Sequence, residues 1–123
     1  MGPPSTAYLI HFACFRCRRS FKRSVEFGTK DYVKRCPHCG GRALDLGRHF
    51  KPPQTTDVDQ WRKVRLLVAA GFFFQHVGNE KTSQVPYPET LEEAREFIAR
   101  YRAQAWKERV PEALEILAEV GAG

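Results

Sequence analysis

Residues 14–17 read CFRC and residues 36–41 read CPHCGG, and these two short stretches hold every cysteine of the 123-residue chain. Eighteen residues separate them, so the pattern is Cys14-x2-Cys17, a spacer, then Cys36-x2-Cys39. A C-x2-C pair on a tight turn delivers two soft sulfur donors from one short segment, with backbone amides free to hydrogen-bond the sulfurs. Two such pairs complete a tetrahedral thiolate shell. The spacing predicts one structural Zn2+ held by Cys14, Cys17, Cys36 and Cys39. With all four positions taken by sulfur, no site is left for water, and such a metal holds a fold rather than catalysing a reaction.

Other uses of the four thiols are weaker. Two disulfides need an oxidising compartment, of which the sequence carries no sign. A redox C-x-x-C opens a helix in a βαβ unit, and GGRALDLG after Cys39 does not read as one. Spacing alone does not separate zinc from iron. His11, three residues before Cys14, is a spare donor that four cysteines make unnecessary.

The segments around the cysteines read as strands. AYLIHFAC ends at Cys14, and RRSFKRSVEF follows Cys17 with Phe21, Val25 and Phe27 on one side of a basic ribbon. GTKD at 28–31 is a turn signal, YVKR leads into Cys36, and RALDLGRHF leads away from Gly41. The order predicts two hairpins, each bent at a cysteine pair. Within them Phe12, Phe21 and Phe27 are expected as core residues.

CFRC and CPHCG, each set between predicted strands, resemble the two knuckles of a zinc ribbon, with Pro37 and Gly40 matching the common CPxCG form. The resemblance covers about residues 8–50 and departs at the first knuckle, where Arg18 stands in place of the usual glycine. It implies a fold more than a function, because zinc ribbons serve in transcription, translation and DNA processing and also as plain structural modules. Residues 52–123 carry no such resemblance.

After the proline-bearing linker KPPQTT, Asp57 and Gln60 mark a helix start, and Val58, Trp61, Val64, Leu67 and Val68 recur at helical spacing up to Gly71. FFFQHV at 72–77, bounded by glycines, predicts a short buried strand. Thr90 and Glu93 form a capping box for a helix expected to run to about Arg109, and Pro111 suits the first turn of another. The expected class is therefore α+β: N-terminal antiparallel zinc-ribbon hairpins, then a helix, a short strand, and a C-terminal amphipathic helix or helix pair. Its regions are a disordered 1–7, a ribbon over 8–51, a linker, helix and strand over 52–85 packing on the ribbon, and a helical region over 86–123.

Net charge is +6, distributed unevenly. Residues 1–51 hold eleven basic against three acidic side chains, whereas residues 86–123 hold five against eight. Thirteen arginines against seven lysines suit bidentate phosphate recognition. Arg16, Arg18, Arg19, Lys22, Arg23 and Arg35 are the expected phosphate contacts, and Phe15, within a knuckle and expected to point outward, the stacking residue. The function expected is a small non-enzymatic adaptor that binds nucleic acid, RNA or a ribonucleoprotein ahead of DNA. The alternative is a protein-interaction module that uses the ribbon as scaffold and Trp61 or residues 86–123 as the contact. A nuclease-like cluster of His49, His76, Asn79 and Glu80 ranks last, since no spacing ties these residues together. No small-molecule substrate is expected, and there is no phosphate-binding glycine loop. No apolar run reaches the roughly 18 residues of a membrane span. The start lacks the features of a secretory signal, and MGPPST meets the bare myristoylation pattern in a poor context. A cytoplasmic, reducing location is the expectation.

Overall fold

A computed structural model describes residues 7–26, 32–78 and 84–121. The expected turn at 28–31, Phe27, Asn79, Glu80 and most of the N-terminal tail lie outside the described residues. Four strands, β1 (Ala7–Cys14), β2 (Arg19–Glu26), β3 (Val33–Arg35) and β4 (Arg42–Asp45), form one antiparallel sheet in the order β2-β1-β4-β3. Cys14–Cys17 bends the β1–β2 hairpin and Cys36–Cys39 bends the β3–β4 hairpin, as the sequence predicts. Three helices follow: α1 (Val58–Ala69), α2 (Leu91–Arg100) and α3 (Val110–Val120). The α+β class holds.

Alternation along β1 loads both faces of the sheet. Ile10, Phe12 and Cys14 point one way, into a small cluster with Val25, Cys36 and Ala43. Phe12 stacks on its cross-strand partner Phe21 with ring centroids 5.8 Å apart. Ala13 and Leu44 point the other way, into the main core with Trp61, Val64 and Val68 of α1 and Ala113, Ile116 and Leu117 of α3. The stripe of α3 is thus occupied within the chain. A third cluster, with Leu67, Phe72, Val77, Ala94 and Phe97, joins α1 to α2.

Helix starts follow their local signals. Asp57 Oδ1 accepts from the Gln60 amide at 3.3 Å, and Thr90 with Glu93 forms the complete capping box. The end of α2 departs from expectation: it stops at Arg100, and single 3-10 turns at Arg102–Gln104 and Lys107–Arg109 bridge to α3. The cause is tertiary. Trp106 gives its N–H to Gly71 O at 2.9 Å, and a Cβ on Gly71, at φ +99°, would lie 2.9 Å from Ala105 Cβ. The chain must leave the helix to make that approach. Pro111 then opens α3 within its first turn.

Residues 72–77 are not a strand. Phe74 takes φ +63°, incompatible with an extended run, and the buried Gln75 side chain supplies the bonds a ladder would have made. Its Oε1 accepts from Phe73 N at 2.6 Å, and its Nε2 donates to Gly71 O at 3.1 Å and Gln104 O at 3.3 Å. Tyr87 Oη donates to Gln75 O at 2.8 Å. Gln84 Oε1 accepts from Val77 N at 3.1 Å, so apolar content alone reads as a strand where two glutamine side chains and neighbouring backbone answer the polar groups. Gln75→Leu takes the acceptor from the buried Phe73 amide and the donor from Gln104 O, while Gly71 O keeps the Trp106 amide, and should lower unfolding free energy by about 2 kcal/mol in urea denaturation of the metal-loaded protein.

Candidate metal centre

The two bends bring the four cysteines together. Their Sγ atoms all lie within 4.8 Å of one another, with the nearest cross-knuckle pairs at 3.5 Å (Cys14 and Cys39) and 3.6 Å (Cys17 and Cys36). A tetrahedron with metal–sulfur arms of about 2.3 Å has edges of about 3.8 Å. The sulfurs are unbridged thiols, far from the bonded separation of about 2.05 Å. Neither pair opens a helix, so the redox arrangement is absent from these two turns.

The knuckles repeat one local geometry. In the second, Gly40 N donates to Cys36 O at 2.9 Å and Cys36 N to Gly41 O at 2.8 Å. His38 N and Gly41 N point at Cys36 Sγ and Cys39 Sγ, each at 3.4 Å. In the first, the amides of Cys17 and Arg16 turn toward Cys14. Gly40 takes φ +74° directly after its last cysteine, and Arg18, at the equivalent place, takes φ +53°. The turn that glycine favours is therefore formed with arginine, whose Nε donates to Thr55 O at 3.0 Å.

Burial pushes the Cys14 and Cys17 thiols up. Burial also raises Cys36, but amide donation from Cys39 and His38 outweighs it and brings that thiol down to about 7. One sulfur is prepared as thiolate, and four thiolates in this space require a cation among them. The four cysteines are positioned to bind one metal ion, and the all-sulfur tetrahedral donor set fits zinc. His11 stands apart from them, edge-on to Phe50 with centroids 6.3 Å apart.

The expected phosphate contacts separate into two groups. Arg16, Arg19, Lys22, Arg23 and Arg35 are exposed, while Arg18 is half-buried and tied to Thr55. Arg16 reaches across to the second knuckle beside Gly41. Arg19, Phe21 and Arg23 share one face of β2, and the Arg23 guanidinium lies 4.7 Å from the half-buried Phe21 ring. Phe15 does not point outward. It is 6% exposed and sets its ring edge-on against Trp61 with centroids 5.8 Å apart, because α1 covers that side of the first knuckle. Trp61, 3% exposed, gives its Nε1–H to Gln54 O at 3.0 Å and offers no outer contact.

Arg109 was legible only as a helix-end charge. It is buried between Tyr32 and Phe73, its guanidinium carbon 4.0 Å from each ring centroid, and donates to Asp45 O at 3.0 Å. No motif marks such a plug; it needs three segments to meet. No helix among the described residues is long and apolar enough to cross a membrane. No family model, curated protein or solved structure matches the chain, so its reading rests on its own geometry.

Two outcomes test the centre. Arg18→Gly should stabilise the metal-loaded protein by about 0.5 kcal/mol, as relief of the left-handed conformation exceeds the lost exposed bond and added chain entropy; chemical denaturation reads it. Chelation should unfold both hairpins and, through Phe15, loosen Trp61. In a Trp106→Phe background, the remaining tryptophan emission should shift to the red on chelation and return on metal addition.

Proposed function

We propose that the chain is a zinc-ribbon adaptor, non-enzymatic, that binds single-stranded RNA through the basic edge of its sheet, in the reducing cytoplasm. One observation carries the reading. β2 is an edge strand whose outer residues Arg19, Lys22 and Arg23 are exposed, with Arg16 of the first knuckle and Arg35 of β3 exposed near the sulfurs. Arginine forks beside the half-buried Phe21 ring combine phosphate grip with an aromatic surface, the pairing that single strands require. Phe21 takes the stacking role first expected of Phe15. In vivo metal is zinc, which leaves the centre closed and the protein colourless.

Purified protein should contain one zinc per chain, and bind a single-stranded RNA oligonucleotide with an affinity that falls as salt rises. Arg16→Gln, Arg19→Gln and Arg23→Gln together should weaken binding by tenfold or more at low salt and lower the slope of log K against log salt by about 2, with zinc retained. Lack of RNA affinity in the zinc form at low ionic strength refutes the adaptor reading, and a variant that binds as before places the interface elsewhere.

A further inference from the structure

A cavity of about 700 Å³, with none of the four cysteines in its lining, opens where four separated segments meet. Phe74, Tyr87 and Pro88 supply an apolar wall, with Phe74 and Tyr87 stacked at 4.6 Å and 24°. Lys51 from the linker and Lys63 from α1 line the same space, as do His49 and His76. The fold thus unites two histidines that no sequence spacing connects. Glu89 is the one carboxylate among the lining residues. The volume falls in the range of small-ligand sites, and an aromatic wall with converging cations is the chemistry of a planar, anionic ligand.

Two details give this wall the character of a site. Phe72 and Phe73 are buried, whereas Phe74 is half-buried, packed on Phe50 and Tyr87 and lining the cavity, at φ +63°, a conformation costly for a bulky residue and concentrated at functional positions. Lys63 is half-buried, its Nζ donating to Gln60 Oε1 at 2.7 Å. Burial lowers its pKa, a cost that Glu89, Asp57 and Glu93 offset in part. A cation short of water gains more from an incoming anion than an exposed one does.

We propose that this cavity binds a mononucleotide, with the base against the cavity-facing edge of the Phe74–Tyr87 stack, the phosphate at Lys51 and Lys63, and Glu89 accepting from a ribose hydroxyl. The ribbon face uses different residues, so the proposal does not depend on the RNA reading. Calorimetric titration of the zinc-loaded full chain with AMP, GMP, CMP and UMP should give saturable one-to-one binding for at least one of them. Adenosine and inorganic phosphate should each bind about tenfold more weakly or not at all. Lys51→Gln with Lys63→Gln should cost tenfold or more in affinity. Phe74→Gly relieves the backbone conformation but gives up ring packing on Phe50 and Tyr87, and it should lose binding in protein whose circular dichroism and cooperative urea unfolding match the parent. The triple arginine variant of the ribbon should bind the nucleotide as before. The proposal is overturned by an absence of saturable heat with all four nucleotides at millimolar concentration, by inorganic phosphate binding as tightly as the nucleotide, or by affinity unchanged in both cavity variants.

Discussion

The two hairpins share little backbone. β1 and β4 pair through only Phe12 with Asp45 and Ala13 with Leu44, supplemented by the bonds of His11 N to Gly47 O and Leu46 N to His11 O, each at 2.9 Å. Directly beyond that pairing, at Cys14, the knuckles meet through sulfur. Convergence of the four cysteines is therefore the constraint on which the sheet depends. Without a cation, the crowded sulfurs contribute little; with one, metal binding on the order of 10 kcal/mol becomes folding energy for both hairpins at once.

That constraint reaches the helices through three contacts. Phe15 passes from the first knuckle to Trp61 of α1. Arg109 is held between Tyr32 at the root of β3 and Phe73, and bonds to Asp45 at the end of β4. Arg42 pairs with Glu115 at 3.2 Å and also with Glu119 of α3. The last pair is exposed and worth little by itself, but it shows the basic ribbon and the acidic helical region meeting inside one chain. Part of the charge asymmetry is answered there, and the exposed cations of β2 are among those left facing solvent.

The sequence was most legible where chemistry is local. A cysteine pair, Pro37 and Gly40 define a knuckle within five residues, and Asp57 or Thr90 caps a helix within four. Legibility failed where a distant group decides the backbone. Residues 72–77 have the composition of a strand, yet Gln75 and Gln84 take the amides of Phe73 and Val77, and Phe74 turns the chain. The helix beginning at Leu91 keeps helical periodicity beyond Arg100, yet Gly71 claims the amide of Trp106. Phe15 was misread for the same reason: exposure in an isolated ribbon says nothing of a helix that later covers it. The cavity lined by Lys51, Lys63, Phe74 and Tyr87 has no linear signature at all.

Edge strands need charge whatever else they do. An exposed ladder of amides and carbonyls invites pairing with another strand, and the basic residues of β2 discourage it. A bound Zn2+ with four thiolates would also carry a net charge of about −2, which nearby Arg16 and Arg35 would temper. These two needs explain positive charge around the knuckles and along the edge. They do not account for arginine in preference to lysine, nor for a guanidinium laid over a half-buried Phe21 on the outer strand, since lysine answers both at least as well. The residue choice, rather than the net charge, is what supports the proposed recognition of phosphate and base at this edge.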